Sequence, residues 1–275
     1  MFAPMKAQNR AGVGQFFAWD GGCMFIGHHD RVLAVHSHQA LQLVVASEGD
    51  HQARGGEEEP WRSYWMAAIP SNHPHGLNVT ASDYGCVILI EPETREGRAI
   101  THRFLQGGIA ECGDADALGI ARSMFEQWLA GRGADATAEA RRLISALSAG
   151  VETPAVTDER IVRATQYINA HLDRSLTLKE VAEVACLSPS RFRHLFGEQV
   201  GMGLRPYILW RRFVLVWDVL MKGKTLSEAA HAAGFADAAH LSRTSVRNFG
   251  FAPSGIQVGQ SLPDPSKFPA RNRAQ

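Results

Sequence analysis

Residues Thr177–Phe196 read TLKEVAEVACLSPSRFRHLF, and a similar pattern returns at Thr225–Leu241 as TLSEAAHAAGFADAAHL. Both copies begin with threonine and carry glutamate three positions later. This spacing is a capping box, in which the threonine oxygen and the glutamate carboxylate accept from backbone N–H groups at a helix start. Small residues follow in both copies, and they allow a second helix to cross closely. The repeat therefore predicts two helical units of the same design.

Each copy also carries the signals of a tight turn followed by a second helix. Gly234 tolerates the positive φ that such a turn requires, whereas Cys186 occupies this place in the first copy and must accept some strain. Ser188–Pro189 is a favourable pair for the N-cap and first position of the next helix. The sequence thus predicts two helix-turn-helix units, joined by a long apolar helix over Pro206–Met221.

The second helix of each unit has an apolar face and a polar face. If Phe192, Leu195 and Phe196 point inward, helical geometry turns the intervening side chains outward. Such a helix fits the major groove of DNA, where arginine pairs with guanine and histidine or serine adds a weaker contact. The candidate base-contacting residues are Ser190, Arg191, Arg193, His194, Ala239, His240 and Arg243. The candidates for phosphate contacts are Arg191, Arg205, Arg211, Arg212 and Arg247.

The order and spacing of these residues resemble the DNA-binding half of AraC/XylS-type transcription regulators. The second helix-turn-helix of that family is similar to EAAHAAGFADAAHLSR at Glu228–Arg243, followed by FGFAPS at Phe249–Ser254. The first is similar to LSPSRFRHLF at Leu187–Phe196, together with Gly201. The resemblance implies sequence-specific binding to promoter DNA, with RNA polymerase as a further candidate partner, and a regulatory function without catalysis.

One position departs from the family pattern. Ser245 stands where the family usually has an aromatic residue that packs into the core. Phe249 or Phe251 is expected to fill that space.

Charge is divided unevenly along the chain. The 28 basic and 28 acidic side chains give a formal net charge of zero. Residues 1–150 nevertheless carry −5, residues 151–256 carry +3 and residues 257–275 carry +2. These values argue against coating of nucleic acid or of anionic membranes by charge alone, and favour DNA binding by a few placed arginines. Four scattered cysteines and the lack of a long apolar stretch predict a soluble, cytoplasmic protein.

The first ~110 residues show the pattern of short β-strands. Apolar runs at Leu41–Ala46, Trp65–Ile69 and Cys86–Ile90 alternate with turn-rich segments, which predicts a small barrel or sandwich. The pattern becomes helical over Asp114–Ala149. Its apolar stripe comprises Leu118, Ala121, Phe125 and Trp128. This stripe either covers the β-structure of its own chain or makes a helix-to-helix contact in a dimer.

Eight of the 12 histidines precede residue 103. In the family that the chain resembles, the N-terminal half is often a cupin-like barrel that senses a small molecule and mediates dimerisation. His36-Ser37-His38 with Gln42 resembles the first cupin motif, with glutamine in place of glutamate. Pro70–His75 resembles the second motif, with Asn72 where glycine is usual.

Two roles remain open for these histidines. Three imidazoles and an amide oxygen suit a divalent transition metal, and this site would comprise His36, His38, Gln42 and His75. Glutamine is a poor metal ligand, so a second role must be considered. In that role the histidines are either a remnant of the cupin fold or part of an effector site formed by His36, His38, Trp65 and His75. The corresponding rival functions are a metal-dependent cupin enzyme and a metal-sensing regulator. His28, His29 and His51 are expected in solvated loops.

The sequence therefore predicts a two-domain α and β protein. A cupin-like double-stranded β-barrel that binds an effector is expected over residues 1–112, followed by a helical segment over 113–150 and a linker over 151–157. An all-α domain with two helix-turn-helix units joined by a linker helix is expected over 158–256. Residues 257–275 are expected to be disordered, and the functional form is expected to be a homodimer.

Overall fold

The structure, a computed structural model, describes residues 12–29, 32–153 and 158–258. Residues 12–111 contain ten strands, and we call this part the β-region. An eleventh strand follows the last helix. The strands are β1 Gly12–Trp19, β2 Gly22–His29, β3 Leu33–His36, β4 Leu41–Ala46, β5 His51–Arg54, β6 Arg62–Tyr64, β7 Met66–Ile69, β8 His75–Asn78, β9 Gly85–Ile90, β10 Ala110–Glu111 and β11 Ile256–Val258.

The strands form two sheets. One has the order β10-β7-β4-β9-β2-β1-β11 and the other has the order β3-β8-β5-β6. Strand β4 lies inside the larger sheet and is apolar on both faces. Leu41, Leu43 and Val45 belong to a core shared with helices, whereas Val44 belongs to the core that includes the smaller sheet. Because side chains alternate along a strand, Gln42 lies on the same face as Val44.

Nine helices lie within the described residues. They are α1 Arg95–Phe104, α2 Ala115–Leu129, α3 Gly133–Ser148, α4 Glu159–Ala170, α5 Leu178–Val184, α6 Pro189–Val200, α7 Leu204–Met221, α8 Leu226–Ala232 and α9 Ala238–Phe249. We call residues 158–258, which contain α4–α9 and β11, the C-terminal region. No described helix has both the length and the apolar character needed for a membrane span.

Helix α1 interrupts the part of the chain that was predicted to contain strands alone. Thr94 caps its start by accepting from Gly97 N at 3.0 Å. Its buried apolar side chains are those of Ala99 and Ile100, and most of the sequence REGRAITHRF is polar. So weak an apolar pattern does not reveal a helix in the sequence.

Helices α2 and α3 pack on the β-region of their own chain. The buried residues of α2, from Ala117 to Trp128, share one core with strands β2, β4 and β9. Trp128 donates from Nε1 to Gln15 Oε1 at 2.7 Å, and its ring meets Tyr84 edge-on. Of the two roles left open for the α2 stripe, the structure therefore shows packing within the chain.

Helices α5, α6 and α8 start where the repeat predicts, whereas the linker helix α7 starts at Leu204, two residues before the predicted Pro206. Both capping boxes are formed, at Thr177 with Glu180 and at Thr225 with Glu228. The turn residues Cys186 and Gly234 have φ values of 54° and 68°, which confirms the left-handed conformation expected for both.

Ser245 lies in the core of the second helical unit. Ser245 is fully buried, and its hydroxyl donates to Phe251 O at 2.8 Å. The Phe249 ring meets Phe213 edge-on, with the ring centres 4.7 Å apart. Phe249 and Phe251 belong to the core beside α7, and the filling of the space at residue 245 by their rings stays a prediction.

The segment after α9 returns to the β-region. Strand β11 pairs in parallel with β1, with Gly12 opposite Ile256 and Gly14 opposite Val258. The prediction of disorder from residue 257 onward is therefore wrong for Gln257 and Val258, because β1 offers a sheet edge with unpaired backbone groups. The remainder of that predicted tail, residues 259–275, lies outside the described residues, as do residues 154–157 of the predicted linker.

Candidate functional site

The outer face of α6 carries the first set of candidate DNA contacts. Ser188 starts the helix by accepting from Arg191 N at 3.3 Å. Phe192, Leu195 and Phe196 are buried in the core of this unit. The four predicted contact residues Ser190, Arg191, Arg193 and His194 are exposed, as are Pro189 and Glu198. The helix is thus divided into the inward and outward faces that its sequence indicates.

Helix α9 presents the second set. Asp237, which the sequence pattern had not singled out, caps its start by accepting from His240 N at 2.6 Å. Leu241, Thr244, Ser245 and Phe249 face inward. The exposed residues are Ala239, His240, Arg243, Val246 and Arg247. Arg247 therefore extends the polar face by one helical turn beyond Arg243.

Two of the arginines predicted to contact phosphates have other partners. Arg211 pairs with the carboxylate of Glu91 and donates from Nε to Asn169 Oδ1 at 2.9 Å. Arg212 donates from Nη2 to Arg174 O at 2.7 Å, and its guanidinium lies 6.0 Å from the centre of the Phe235 ring. Both side chains have partners within the chain, so phosphate contacts by either of them would require these bonds to break. Arg191, Arg205 and Arg247 remain exposed.

The pair of Arg211 and Glu91 connects the β-region to α7. Glu91 follows β9, is 6% exposed, and also accepts from Trp210 Nε1 at 3.2 Å. Burial and the nearby Glu91 charge raise the pKa of Glu93 to about 8. One carboxylate at this interface is thus paired with a cation, whereas its neighbour is held in the protonated form at neutral pH.

The structure brings His36, His38 and His75 together. All three are buried, and one ring nitrogen of each lies within 4.8 Å of the others. His36 and His75 are directly opposite each other in the antiparallel pair of β3 and β8. Asn72, at the usual glycine position of the second motif, has a φ of 59°, a conformation that asparagine tolerates better than most residues.

Backbone carbonyls set the protonation of the three rings. The Nδ1 atoms of His36, His38 and His75 lie 2.9, 3.1 and 2.8 Å from the carbonyl oxygens of Ala34, Ala40 and His73. A carbonyl only accepts, so each Nδ1 carries the proton and each Nε2 keeps its lone pair. This is the arrangement by which metal-binding histidines are commonly oriented.

Burial keeps these rings neutral. It lowers the pKa of His36, and it lowers that of His38 to about 4, with His36 as a further cause. The pKa of His75 is lowered well below its ordinary value by burial and by the proximity of His38 and His36. Neutral imidazole is the form that binds metal ions.

Gln42 completes the cluster. Its Oε1 lies 2.7 Å from His38 Nε2. Two lone pairs at this distance repel each other unless a proton or cation lies between them or the amide turns its NH₂ toward the ring. Among the described residues, Gln42 Nε2 and His75 Nε2 are buried without a hydrogen-bond partner. The three imidazole nitrogens, including the unpaired His75 Nε2, and the Gln42 amide oxygen fit a divalent transition metal.

A cavity of about 70 Å³ lies beside this cluster, between the β-region and the C-terminal region. His36, His38 and Gln42 line it, together with aromatic rings from α7 and from the end of α9. Trp65, a candidate for effector binding, does not line this cavity. It is 51% exposed to solvent. His28, His29 and His51 are buried on β2 and β5, so the expectation of solvated loops is wrong for them.

The end of α9 lies directly on the histidines. The Phe249 ring stacks on His38 with 5.5 Å between the ring centres and 27° between the planes. Gly250 follows with a φ of 73°, and a Cβ at this position would be 3.1 Å from His36 Nδ1 and 3.2 Å from Ala34 O. No local pattern in the sequence indicated that Phe249 and Gly250 belong to this site.

Comparisons with known proteins agree with the helical repeat. A family described as helix-turn-helix domain matches residues 181–257. The arabinose operon regulatory protein of Escherichia coli is 25% identical over 227 residues, which are 80% of this chain and 72% of that protein. The probable transcriptional regulator LumQ of Photobacterium leiognathi is 31% identical over 98 residues, 35% of this chain and 40% of LumQ.

Solved structures of ToxT from Vibrio cholerae share the architecture. A crystal structure of ToxT from strain O395 covers 84% of this chain and 94% of its own, with a TM-score of 0.53 and 11% identity. One bound to an unsaturated fatty acid covers 89% and 95%, with a TM-score of 0.51 and 13% identity. At these identities the likeness concerns the fold. The sequence relatives and the helix-turn-helix match support a DNA-binding transcription regulator of the AraC type.

Proposed function

We propose that this chain regulates transcription by placing α6 and α9 in successive major grooves of promoter DNA. The observation that carries the proposal is the pair of matching helices, each with a buried apolar face and an exposed arginine-bearing face. Both lie beside α7, so they would reach half-sites about one helical turn, ~34 Å, apart.

The two helices present different side chains to the bases. Phe192 corresponds to Leu241, so Arg193 corresponds to Ser242 and His194 corresponds to Arg243. Because arginine reads guanine through two hydrogen bonds, its different position in each helix favours a different base sequence in each half-site. An asymmetric binding site is therefore expected.

Direct binding to DNA tests this proposal. Fluorescence anisotropy with DNA selected from a random pool should give a log K that falls linearly with log salt concentration, with a slope that counts the few phosphate contacts. Unselected DNA of the same length is the control. Weak binding that is independent of salt and of sequence would contradict the proposal.

The proposed effector site is the cavity between the β-region, which we take to be a cupin-like barrel, and the C-terminal region. Its volume of about 70 Å³ is below the ~300–1,000 Å³ of ordinary ligand pockets. An effector of ordinary size must therefore displace Trp217, Phe249 or Phe251, which belong to the C-terminal region. Occupancy would shift the population of positions that α9 adopts.

The lining favours an apolar effector. Aromatic and aliphatic side chains form most of the cavity wall, and an unsaturated fatty acid is bound in one of the similar ToxT structures. Leu89→Trp would fill the cavity from β9. Small apolar ligands are first screened for those that raise the melting temperature of the unmodified protein. Such a ligand should not raise the melting temperature of Leu89→Trp. An unchanged effect would exclude this cavity.

Homodimer formation is part of the proposal, as is contact with RNA polymerase. The apolar stripe of α2 is buried within its own chain, so pairing would use another surface. Sedimentation velocity should give the mass of two chains, and a single-chain mass at micromolar concentration would contradict pairing.

A metal-dependent enzyme is the second class that the histidines suggest. Phe249 and Phe251 from the C-terminal region line the cavity beside the three rings. The regulatory function fits this geometry better, because the side chains beside the histidines belong to the region that is proposed to bind DNA.

A further inference from the structure

We infer that a divalent transition metal held by His36, His38 and His75 fixes the end of α9 against the β-region and thereby sets the position of the second helix-turn-helix unit. The consequence for DNA rests on the proposed function. Metal binding and the fixing of α9 can be measured without DNA.

The metal would draw the three rings together. Imidazole nitrogens suit zinc, copper, nickel and iron, and their bonds to zinc are ~2.0 Å long. Nitrogens around a tetrahedral ion are then roughly 3.3 Å apart. The nitrogens of the cluster are within 4.8 Å of one another, so a modest inward movement completes the site. Gln42 Oε1 or a water molecule in the neighbouring cavity can take the fourth position.

The end of α9 is placed to respond to that movement. Phe249 stacks on the His38 ring, and the backbone of Gly250 packs beside His36. Phe249 contacts the face of the His38 ring, and Gly250 lies on the Nδ1 side of His36. Neither residue occupies the Nε2 atoms that would bind the metal. Bound metal would therefore stiffen the surface on which α9 ends, without competing with it.

The contacts of α9 with two of the three rings give the direction of the coupling. Phe249 stacks on His38 and Gly250 lies beside His36, so docking of α9 holds these two ligands in place. Fewer ring orientations are then lost when the ion binds, and binding of the ion also satisfies the unpaired His75 Nε2. Metal therefore favours docking. By linkage, docking raises the affinity for metal by the same factor.

Hydrogen exchange on the full-length protein tests the inference. The protein is stripped with a chelator, titrated with Zn²⁺ and analysed for bound zinc and for amide exchange. We expect one zinc per chain and exchange slowed on the order of 10-fold in residues 241–258. His75→Ala should abolish both effects, whereas exchange in α2 should remain the same.

A matched pair of glycine variants separates coupling from simple metal binding. Gly250 and Gly201 end α9 and α6 with φ values of 73° and 75°, so alanine causes similar backbone strain at both. A Cβ at Gly250 would crowd His36, whereas one at Gly201 meets nothing within 4 Å. Gly250→Ala should therefore weaken zinc binding on the order of 10-fold, and Gly201→Ala should leave it unchanged.

Three results would overturn the inference: no stoichiometric zinc, zinc that persists in His75→Ala, or bound zinc that leaves exchange in residues 241–258 unaltered. Equal zinc affinities in the two glycine variants would overturn the contact through Gly250. Slowed exchange in a protein that binds no DNA at any salt concentration would refute the proposed function and support this inference.

Discussion

Arg193 and Arg243 illustrate how much of the site depends on single side chains. Both are exposed on the outer faces of their helices, and neither takes part in the ion pairs found among the described residues. Arg211 and Arg212 have the same charge but are bound to Glu91 and to Arg174 O. The residue type does not distinguish the exposed arginines from the engaged ones. The distinction depends on which face of each helix packs against the rest of the chain.

Replacement of Arg193 or Arg243 by alanine should weaken binding to selected DNA by about 1–3 kcal/mol, because a paired contact to guanine is lost. Affinity for unselected DNA should change much less. Arg122→Ala, at an exposed position on α2, is the matched control. Unchanged affinity in both variants would refute the assignment of these faces, and anisotropy titrations measure the difference.

Glu93 predicts a dependence of stability on pH. Its pKa is about 8 in the folded protein, above the ordinary value of 4.5, because of burial and the Glu91 charge. Between these values the folded state keeps a proton that the unfolded state releases, so stability falls as pH rises from about 4.5 to 8. Glu93→Gln should be more stable than the unmodified protein by roughly 1–4 kcal/mol at pH 8 and similar to it at pH 4.

Urea unfolding of both proteins at pH 4, 6 and 8 measures this difference. Glu96→Gln, at an exposed position on α1, is the control and should follow the unmodified protein. A difference between Glu93→Gln and the unmodified protein that does not grow with pH would contradict the assignment.

The sequence predicted the positions of helices better than those of strands. Caps and turn residues are local, so Thr177, Thr225 and the two turn positions located α5, α6, α8 and α9. Strands were located less completely, and α1 was missed because it has few apolar residues. The contact between the two helical units also went unnoticed: a Cβ at Gly234 would be 2.4 Å from Leu172 O.

Gly234→Ala should therefore destabilise the protein more than Gly201→Ala. Both positions have positive φ, 68° and 75°, which costs alanine about 1 kcal/mol. At Gly201 the new methyl group meets nothing within 4 Å, whereas at Gly234 it meets backbone atoms of Leu172 and Asp173. Guanidinium unfolding should show an additional loss of about 1–3 kcal/mol for Gly234→Ala. Equal losses would mean that the two units do not pack as closely as described.

In the whole molecule, the two regions share cores and polar contacts. Phe16 and Cys23 of the β-region lie in one buried cluster with Trp210, Phe213 and Trp217 of α7. The ion pair of Glu91 and Arg211 joins the same surfaces. These contacts place the histidines, the cavity and the second helix-turn-helix unit side by side, which is why a ligand in one region can act on the other.

Arg211→Met should destabilise this interface by about 3–5 kcal/mol, because the Glu91 carboxylate stays buried without its cation. The double variant Glu91→Gln/Arg211→Met should recover most of the loss. Arg160→Met, which breaks a more exposed pair with Asp158, should cost much less than Arg211→Met, because water screens the exposed charges. Urea unfolding measures all three variants, and a double variant no better than Arg211→Met would show that the pair acts through other contacts.

The repeated helices, their outward arginines and the histidine pattern of the N-terminal half can all be read from the chain itself. They depend on interactions within a few residues, such as caps, turns and the spacing of apolar side chains. Folding added the docking of Phe249 on His38, the burial of Arg211 against Glu91 and the pairing of β11 with β1. These contacts join residues far apart in the chain, and they form through packing between surfaces that no local pattern specifies.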